Sequence, residues 1–143
     1  MTDTRMIDYP NRIADVYGAW ADIETVLAGK GIERGLNHLV KLLASQINNC
    51  AFCVKMHTSE ARRDGETNER LDRLVVWRHV NDFTMAEKAA FAWAEALTVL
   101  SDDTDFGLLR AELRQHYSDE QIAVLTSLVS MINLWNRLGV SNH

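Results

Sequence analysis

Cys50 and Cys53 are the only cysteines of the chain, and His57 follows in the run Asn48-Asn49-Cys50-Ala51-Phe52-Cys53-Val54-Lys55-Met56-His57. The pattern is C-x-x-C-x-x-x-H. A helix turns by about 100° per residue, so all three side chains fall within an arc of roughly 60° on one face. Residues three and four apart are neighbours on a helix surface, so the two sulfurs can meet and His57 can approach Cys53 from the next turn. The i,i+3 spacing suits the Cα separation of a disulfide. Asn48 or Asn49 reads as the N-cap, which would place both cysteines in the first turn. Free backbone N–H groups and the positive helix end stabilise a thiolate there. His57 can accept a thiol proton or, when charged, hold a thiolate. The chemistry this implies is reversible dithiol–disulfide redox.

Other uses of the same residues are weaker. Structural zinc asks for four ligands, usually in two matched pairs. No second C-x-x-C exists, and His38, His79, His116 and His143 form no ligand-spaced pair. No metal is therefore expected. The cysteines could also serve merely as small buried apolar groups. A thioredoxin fold is disfavoured because no βαβ pattern surrounds the motif.

The elements that must carry this face read as helices. Ile13, Val16, Tyr17, Trp20, Ile23 and Leu27 recur at helical spacing, and Gly29-Lys30-Gly31 ends that segment. A second helix is expected from about Gly35 to Ile47, with Leu36, Leu39, Val40, Leu43 and Ile47 inward. The third, carrying the cysteines, runs from near Asn49 to Gly65, with Asp64-Gly65 as its C-cap. Thr67 to Val80 is expected to be helical in one or two pieces. Thr84-Met85-Ala86-Glu87 is a capping box before an alanine-rich helix, and Ser118-Asp119-Glu120-Gln121 is another, opening a long helix through Leu138. Thr104 to His116 lies between them. Gly29, Gly31, Gly35, Gly65, Gly107 and Gly139 are read as boundaries. The sum is an all-α single domain over residues 1–143, with about seven helices and the cysteine pair at the N-terminus of a central one. Trp20, Trp77, Trp93 and Trp135 are assigned to core or subunit contacts.

Composition narrows the function classes. With 143 residues the chain can bury a core without disulfide staples. A formal net charge of −5 with no basic cluster argues against nucleic acid and against an anionic membrane surface. The N-terminus lacks a basic start followed by an apolar run. The uncharged stretch Gln121–Asn136 is too short and too polar for a membrane span. A cytoplasmic location is expected, where paired cysteines are more often catalytic or metal-binding than structural. No Gly-rich phosphate loop or dinucleotide fingerprint is present, so no organic cofactor is expected.

Around the motif the sequence resembles the AhpD-like alkylhydroperoxidases of the carboxymuconolactone decarboxylase superfamily. The resemblance is carried by Leu39-Val40-Lys41-Leu42 and Ala44-Ser45-Gln46-Ile47-Asn48. It continues through Cys50-Ala51-Phe52-Cys53, Met56-His57-Thr58, Ala61-Arg62, Gly65-Glu66-Thr67 and Trp77-Arg78. Ala92-Trp93-Ala94-Glu95-Ala96-Leu97-Thr98 and Ile132-Asn133-Leu134-Trp135-Asn136-Arg137-Leu138 extend it, so that it spans roughly residues 9–140. It implies an all-α oligomer, a trimer or hexamer, and a peroxidase or disulfide-reductase activity. A hydroperoxide or disulfide would be the substrate, and an external dithiol or peroxiredoxin-type partner the reductant. By the same resemblance Cys53 is the attacking sulfur, Cys50 an exposed resolving sulfur, and His57 a proton relay. The two cysteine roles could be reversed, because Cys50 lies nearer the helix end.

The chain departs from the family pattern at two positions. The glutamate usual twelve residues before the first cysteine is His38, which can also shuttle protons. The arginine often found near position 43 is Leu43. A substitute carboxylate could come from Glu33, Glu60 or a neighbouring subunit, and the sequence selects none of them. Two alternatives to a peroxidase follow: a redox-sensing or structural oligomer with little turnover, and a lyase of the decarboxylase type.

Overall fold

The computed structural model describes residues 1–143 and is entirely helical. In chain order the helices are α1 (Tyr9–Arg12), α2 (Ala14–Ala28), α3 (Arg34–Ile47), α4 (Ala51–Arg63) and α5 (Asn68–Arg73). After a 3₁₀ segment at Leu74–His79 come α6 (Met85–Thr98), α7 (Phe106–Leu113) and α8 (Asp119–Val140). None is long and apolar enough to cross a membrane. The eight helices exceed the expected seven because Tyr9–Arg12 forms a separate turn, opened by Pro10 near its start and by the Asp8 side chain accepting from Asn11 N–H.

Local chemistry explains most boundaries. Both expected capping boxes are complete: Thr84 with Glu87 opens α6, and Ser118 with Gln121 opens α8. Thr67 caps α5 by one bond only, its side chain accepting from Arg70 N–H. Each such cap contributes about 1 kcal/mol by satisfying an orphan N–H. Gly65 at φ 99° closes α4 after Asp64, as the Asp-Gly pair implied.

Helix α3 is the organising element. It packs against α4, α6 and α8, and Leu36, Leu39, Val40, Leu42 and Leu43 are buried along it. Leu43 is thus a core residue, and an apolar side chain there needs no partner for a charge. Opposite it, Ala89, Ala90 and Ala94 of α6 permit close helix approach, while Phe91 fills the space beside Trp77 and Phe83 in edge-on contacts. Trp77 and Trp93 belong to the core, whereas Trp20 and Trp135 are only partly covered.

Helix α2 departs from expectation. Its apolar face is real, yet no α2 residue is buried, and Ile13, Val16 and Ile23 remain exposed. The helix is held mainly along α8, where Tyr17 and Trp20 each meet Trp135 edge-on. One helix alongside covers only part of a broad apolar stripe.

Candidate active site at the head of helix four

The cysteine pair sits in a helix-to-helix corner only three residues long. Helix α3 ends in a Schellman arrangement: Asn49 N–H bonds to Gln46 C=O at 3.2 Å, and Cys50 N–H to Ser45 C=O at 3.1 Å. Asn49 takes the left-handed conformation at φ 56° that this turn requires. The expected cap at Asn48 or Asn49 is therefore corrected. Both residues are spent closing α3, and the N-cap of α4 is Cys50 itself, whose Sγ accepts from Cys53 N–H at 3.4 Å. The helix end thus aims a backbone donor at the Cys50 sulfur, the arrangement that favours a thiolate. Cys50 and Cys53 are disulfide-bonded, with their Cα atoms 5.3 Å apart.

Neither sulfur is open to bulk solvent. Cys50 is fully buried, so the exposure expected of it is overturned. The cause is α8: a Cβ on Gly139 would lie 2.6 Å from Cys50 Sγ and 3.6 Å from Cys53 Sγ. Gly139 is thus no boundary but the place where helix backbone lies against the disulfide. Ala at this position is expected to cost about 1–3 kcal/mol of stability, as overpacking does. Urea unfolding of Gly139→Ala measures it. An unchanged midpoint would show that the sulfurs yield freely.

Cys53 meets a cavity of about 620 Å³ whose walls are mostly apolar. Met6, Tyr9, Pro10 and Tyr17 approach from the N-terminal side, Phe52 and Met56 from α4, and Trp135 and Leu138 from α8. The chain ends are tied together at its rim. Asn142 exchanges hydrogen bonds with the Ile7 backbone at 3.0 and 2.8 Å, and Tyr9 Oη pairs with Ser141 Oγ at 3.0 Å. His143 also reaches the site, its Nε2 lying 3.5 Å from Ala51 N in the first turn of α4.

His57 lies on the same face of α4 and is buried. Its Nδ1 is 3.1 Å from Glu60 Oε2. The same Glu60 oxygen is 4.0 Å from His38 Nδ1, and His38 Nε2 is 2.6 Å from Asp64 Oδ2. The structure therefore brings His38 and His57 together around Glu60, the carboxylate that the sequence could not single out. Glu33 instead occupies the N-cap position of α3. Burial pushes the His57 imidazole below its ordinary range, and the Glu60 carboxylate only partly opposes that. Asp64 is held below the usual carboxylate range chiefly by its hydrogen bond to His38.

The lowered His57 value has a consequence for stability. The unfolded chain takes up a proton below about pH 6.5 that folded His57 resists, so this contribution is complete above that pH and declines as pH falls. The slope for one proton cannot exceed about 1.4 kcal/mol per pH unit. Denaturant midpoints from pH 8 to pH 5 should fall more steeply for the wild type than for His57→Gln. Parallel curves would contradict this.

A buried amide network, unrecognised in the sequence, fixes the corner. Asn48 Nδ2 donates to Asn133 Oδ1 at 2.9 Å and to Asn136 Oδ1 at 3.0 Å, and Asn136 Nδ2 donates to Ser45 Oγ at 3.0 Å. Asn133 Nδ2 reaches Thr98 Oγ1, and Arg137 donates to Asn133 Oδ1. The available signal was two asparagines, three apart, inside the most apolar stretch of α8.

The comparisons with known proteins agree on family and fold. The profile of the carboxymuconolactone decarboxylase family matches residues 14–96. The uncharacterized protein YdfG of Bacillus subtilis (strain 168) is 36% identical over 120 residues, which cover 84% of this chain and 82% of that protein. The crystal structure of ATU0492 from Agrobacterium tumefaciens, a protein of unknown function described as a putative antioxidant defence protein AhpD, is 35% identical. It superposes with a TM-score of 0.89 over 96% of this chain and 94% of its own. The debrominase Bmp8 shares the fold at 18% identity, with a TM-score of 0.81 over 91% of this chain and 70% of its own. The profile match over more than half of the chain, with a fold and sequence shared with ATU0492 over nearly all of it, places the protein in the carboxymuconolactone decarboxylase family, among its AhpD-like members.

Proposed function

We propose that the protein is a dithiol enzyme, a peroxidase or disulfide reductase, that reduces hydroperoxides through Cys50 and Cys53 with His57 as proton relay. The observation that carries this reading is the placement of Cys53 on an apolar cavity, within bonding distance of a second sulfur and one turn from a buried imidazole. In the reduced pair the Cys53 thiol proton passes to His57. The thiolate attacks the outer peroxide oxygen, the O–O bond breaks, and Cys53 becomes a sulfenic acid. The proton that His57 took up returns to the departing alkoxide, which leaves as an alcohol. Cys50 thiol then condenses with the sulfenic acid, forming the disulfide and releasing water. An external dithiol, free or on a peroxiredoxin-type partner, returns two electrons and two protons. Every electron in this cycle comes from that dithiol, and no organic cofactor or metal enters it. His38 supports the relay through Glu60, and the working form is a homo-oligomer, a trimer or hexamer, on the strength of the family alone.

A second reading uses the same dithiol on a carbon–halogen bond. The cavity is wide enough for a substituted ring, and the fold is shared with a debrominase. There an aryl bromide and the dithiol would give the arene, bromide, a proton and the disulfide. One assay separates the readings. Cumene hydroperoxide, hydrogen peroxide and a brominated pyrrole are each offered with dithiothreitol, and peroxide loss or bromide release is followed. Consumption of the organic hydroperoxide without bromide release supports the peroxidase. Bromide release alone supports the second reading. A disulfide that forms readily with no turnover of any of the three retires both in favour of a redox sensor, and a lyase activity that survives loss of both cysteines would do the same in favour of a decarboxylase.

A further inference from the structure

Two cavities share a wall at Met56 of α4 and Trp135 of α8, and their chemistry is opposite. The first is the apolar chamber that Cys53 lines. The second, about 260 Å³, is lined by Glu24, Lys41, His57 and Glu60, and it shares only Met56 and Trp135 with the first. Those two side chains form a partition between them. A reactant entering the apolar chamber faces sulfur, and the polar chamber faces imidazole.

The charged groups around His57 come from three helices. Glu60 on α4 holds Nδ1 at 3.1 Å, which leaves Nε2 as the free nitrogen. Lys41 on α3 lines the same chamber and is paired at 3.4 Å with Glu24 of α2, whose other oxygen accepts from Trp135 Nε1 at 2.9 Å. His38, also on α3, stands beyond Glu60 and is fastened to Asp64, with Arg34 3.6 Å from that carboxylate. Met56 and Trp135 face His57 with no charge. A ring nitrogen bonded to a carboxylate carries the proton, which fixes the tautomer and supports the imidazolium when it forms. Glu60 is the single carboxylate bonded to the His57 ring.

We infer that Glu60 is the positioning residue of His57, holding its tautomer and its charged form from the polar chamber, while Lys41 in the same chamber opposes that charge. The carboxylate and the ammonium that set the His57 charge thereby sit behind the partition, apart from the face that receives the reactant. The inference deepens the proposed function and rests on His57 serving the cysteines. Burial of the ring, with Lys41 and His38 acting in the same direction, disfavours the charged form, and Glu60 is the group that resists them.

The test follows the His57 imidazole by NMR in the reduced, full-length protein, together with iodoacetamide alkylation of the thiols across pH. Glu60→Gln keeps the shape and removes the charge. It should move the His57 titration down by about one pH unit or more. Alkylation near neutral pH should slow by about tenfold, the equivalent of one unit. Glu60→Asp keeps a carboxylate and should stay nearer the wild type. Lys41→Met should move the titration up. A His57 titration unmoved by both Glu60→Gln and Lys41→Met would overturn the inference, and a downward shift in Lys41→Met would do so as well. Neither readout uses peroxide. A protein that consumes no hydroperoxide yet shows these opposed shifts loses the peroxidase proposal and keeps this one. One that consumes hydroperoxide with no shift does the reverse.

Discussion

Serine in place of Cys53 is expected to abolish dithiol-driven hydroperoxide consumption, by at least about a thousandfold, or roughly 4 kcal/mol of transition-state stabilisation. The hydroxyl of serine is a far weaker nucleophile than a thiolate, and the one cysteine that remains, Cys50, is buried and does not line the cavity. Cys50→Ser should behave differently. It keeps the sulfur that lines the cavity, so with the external dithiol left out one equivalent of peroxide is consumed, a sulfenic acid persists on Cys53 and no Cys50–Cys53 disulfide forms. Trapping with a dimedone-type reagent and mass spectrometry distinguishes the two. Sulfenic acid on Cys50 in the Cys53→Ser variant would reverse the roles. The helix end makes that outcome chemically sensible, because Cys53 N–H points at Cys50 Sγ. Burial argues the other way: Cys50 lies under the α8 backbone at Gly139, and only Cys53 lines the cavity.

The second large effect is on stability. Asn136 is fully buried, and its amide joins Asn48, at the end of α3, to Ser45 one turn earlier. Asn136→Leu removes both hydrogen bonds and leaves Ser45 Oγ without that donor and Asn48 with one acceptor fewer. At about 1 kcal/mol for each lost bond, plus the desolvation of groups left unpaired, the expected loss is about 2–4 kcal/mol. For a domain of this size that corresponds to a fall of roughly 10 °C in Tm. The same corner fixes the approach of the cysteines, so the disulfide of the variant should also reduce faster. The double variant Asn48→Leu, Asn136→Leu should cost less than the sum of the single ones, since both partners are then apolar. A single-variant loss below about 1 kcal/mol would mean that the network contributes little.

What the sequence disclosed and what it hid divide along a physical line. The capping boxes at Thr84 and Ser118 are interactions within four residues, so their pattern is written in order along the chain. The shared face of Cys50, Cys53 and His57 follows from helix periodicity alone. The corner between α3 and α4 misled because two motifs overlap there. Asn48 and Asn49 are good caps by type, but a helix that must turn sharply uses them for its own end, and the following residue inherits the cap. Glu60 could not be chosen over Glu33 without knowing how α3 lies on α4. Gly139 read as punctuation because its neighbour, the disulfide, is nearly ninety positions away. The face of α2 was legible as apolar, yet its degree of cover depends on which helices reach it.

The ties between Ile7 and Asn142 bear on how the protein is made. A ribosome delivers the cysteines well before the segment that covers them, and for that interval no Gly139 backbone shields Cys50 and no Leu138 walls the chamber beside Cys53. The nascent dithiol is then an ordinary exposed thiol pair, open to any oxidant or thiol it meets. Its selectivity arrives with α8, when residues 135 positions apart close the rim. A cell that synthesises this protein under oxidative stress must therefore protect the unfinished chain from the very compounds the finished one is proposed to remove.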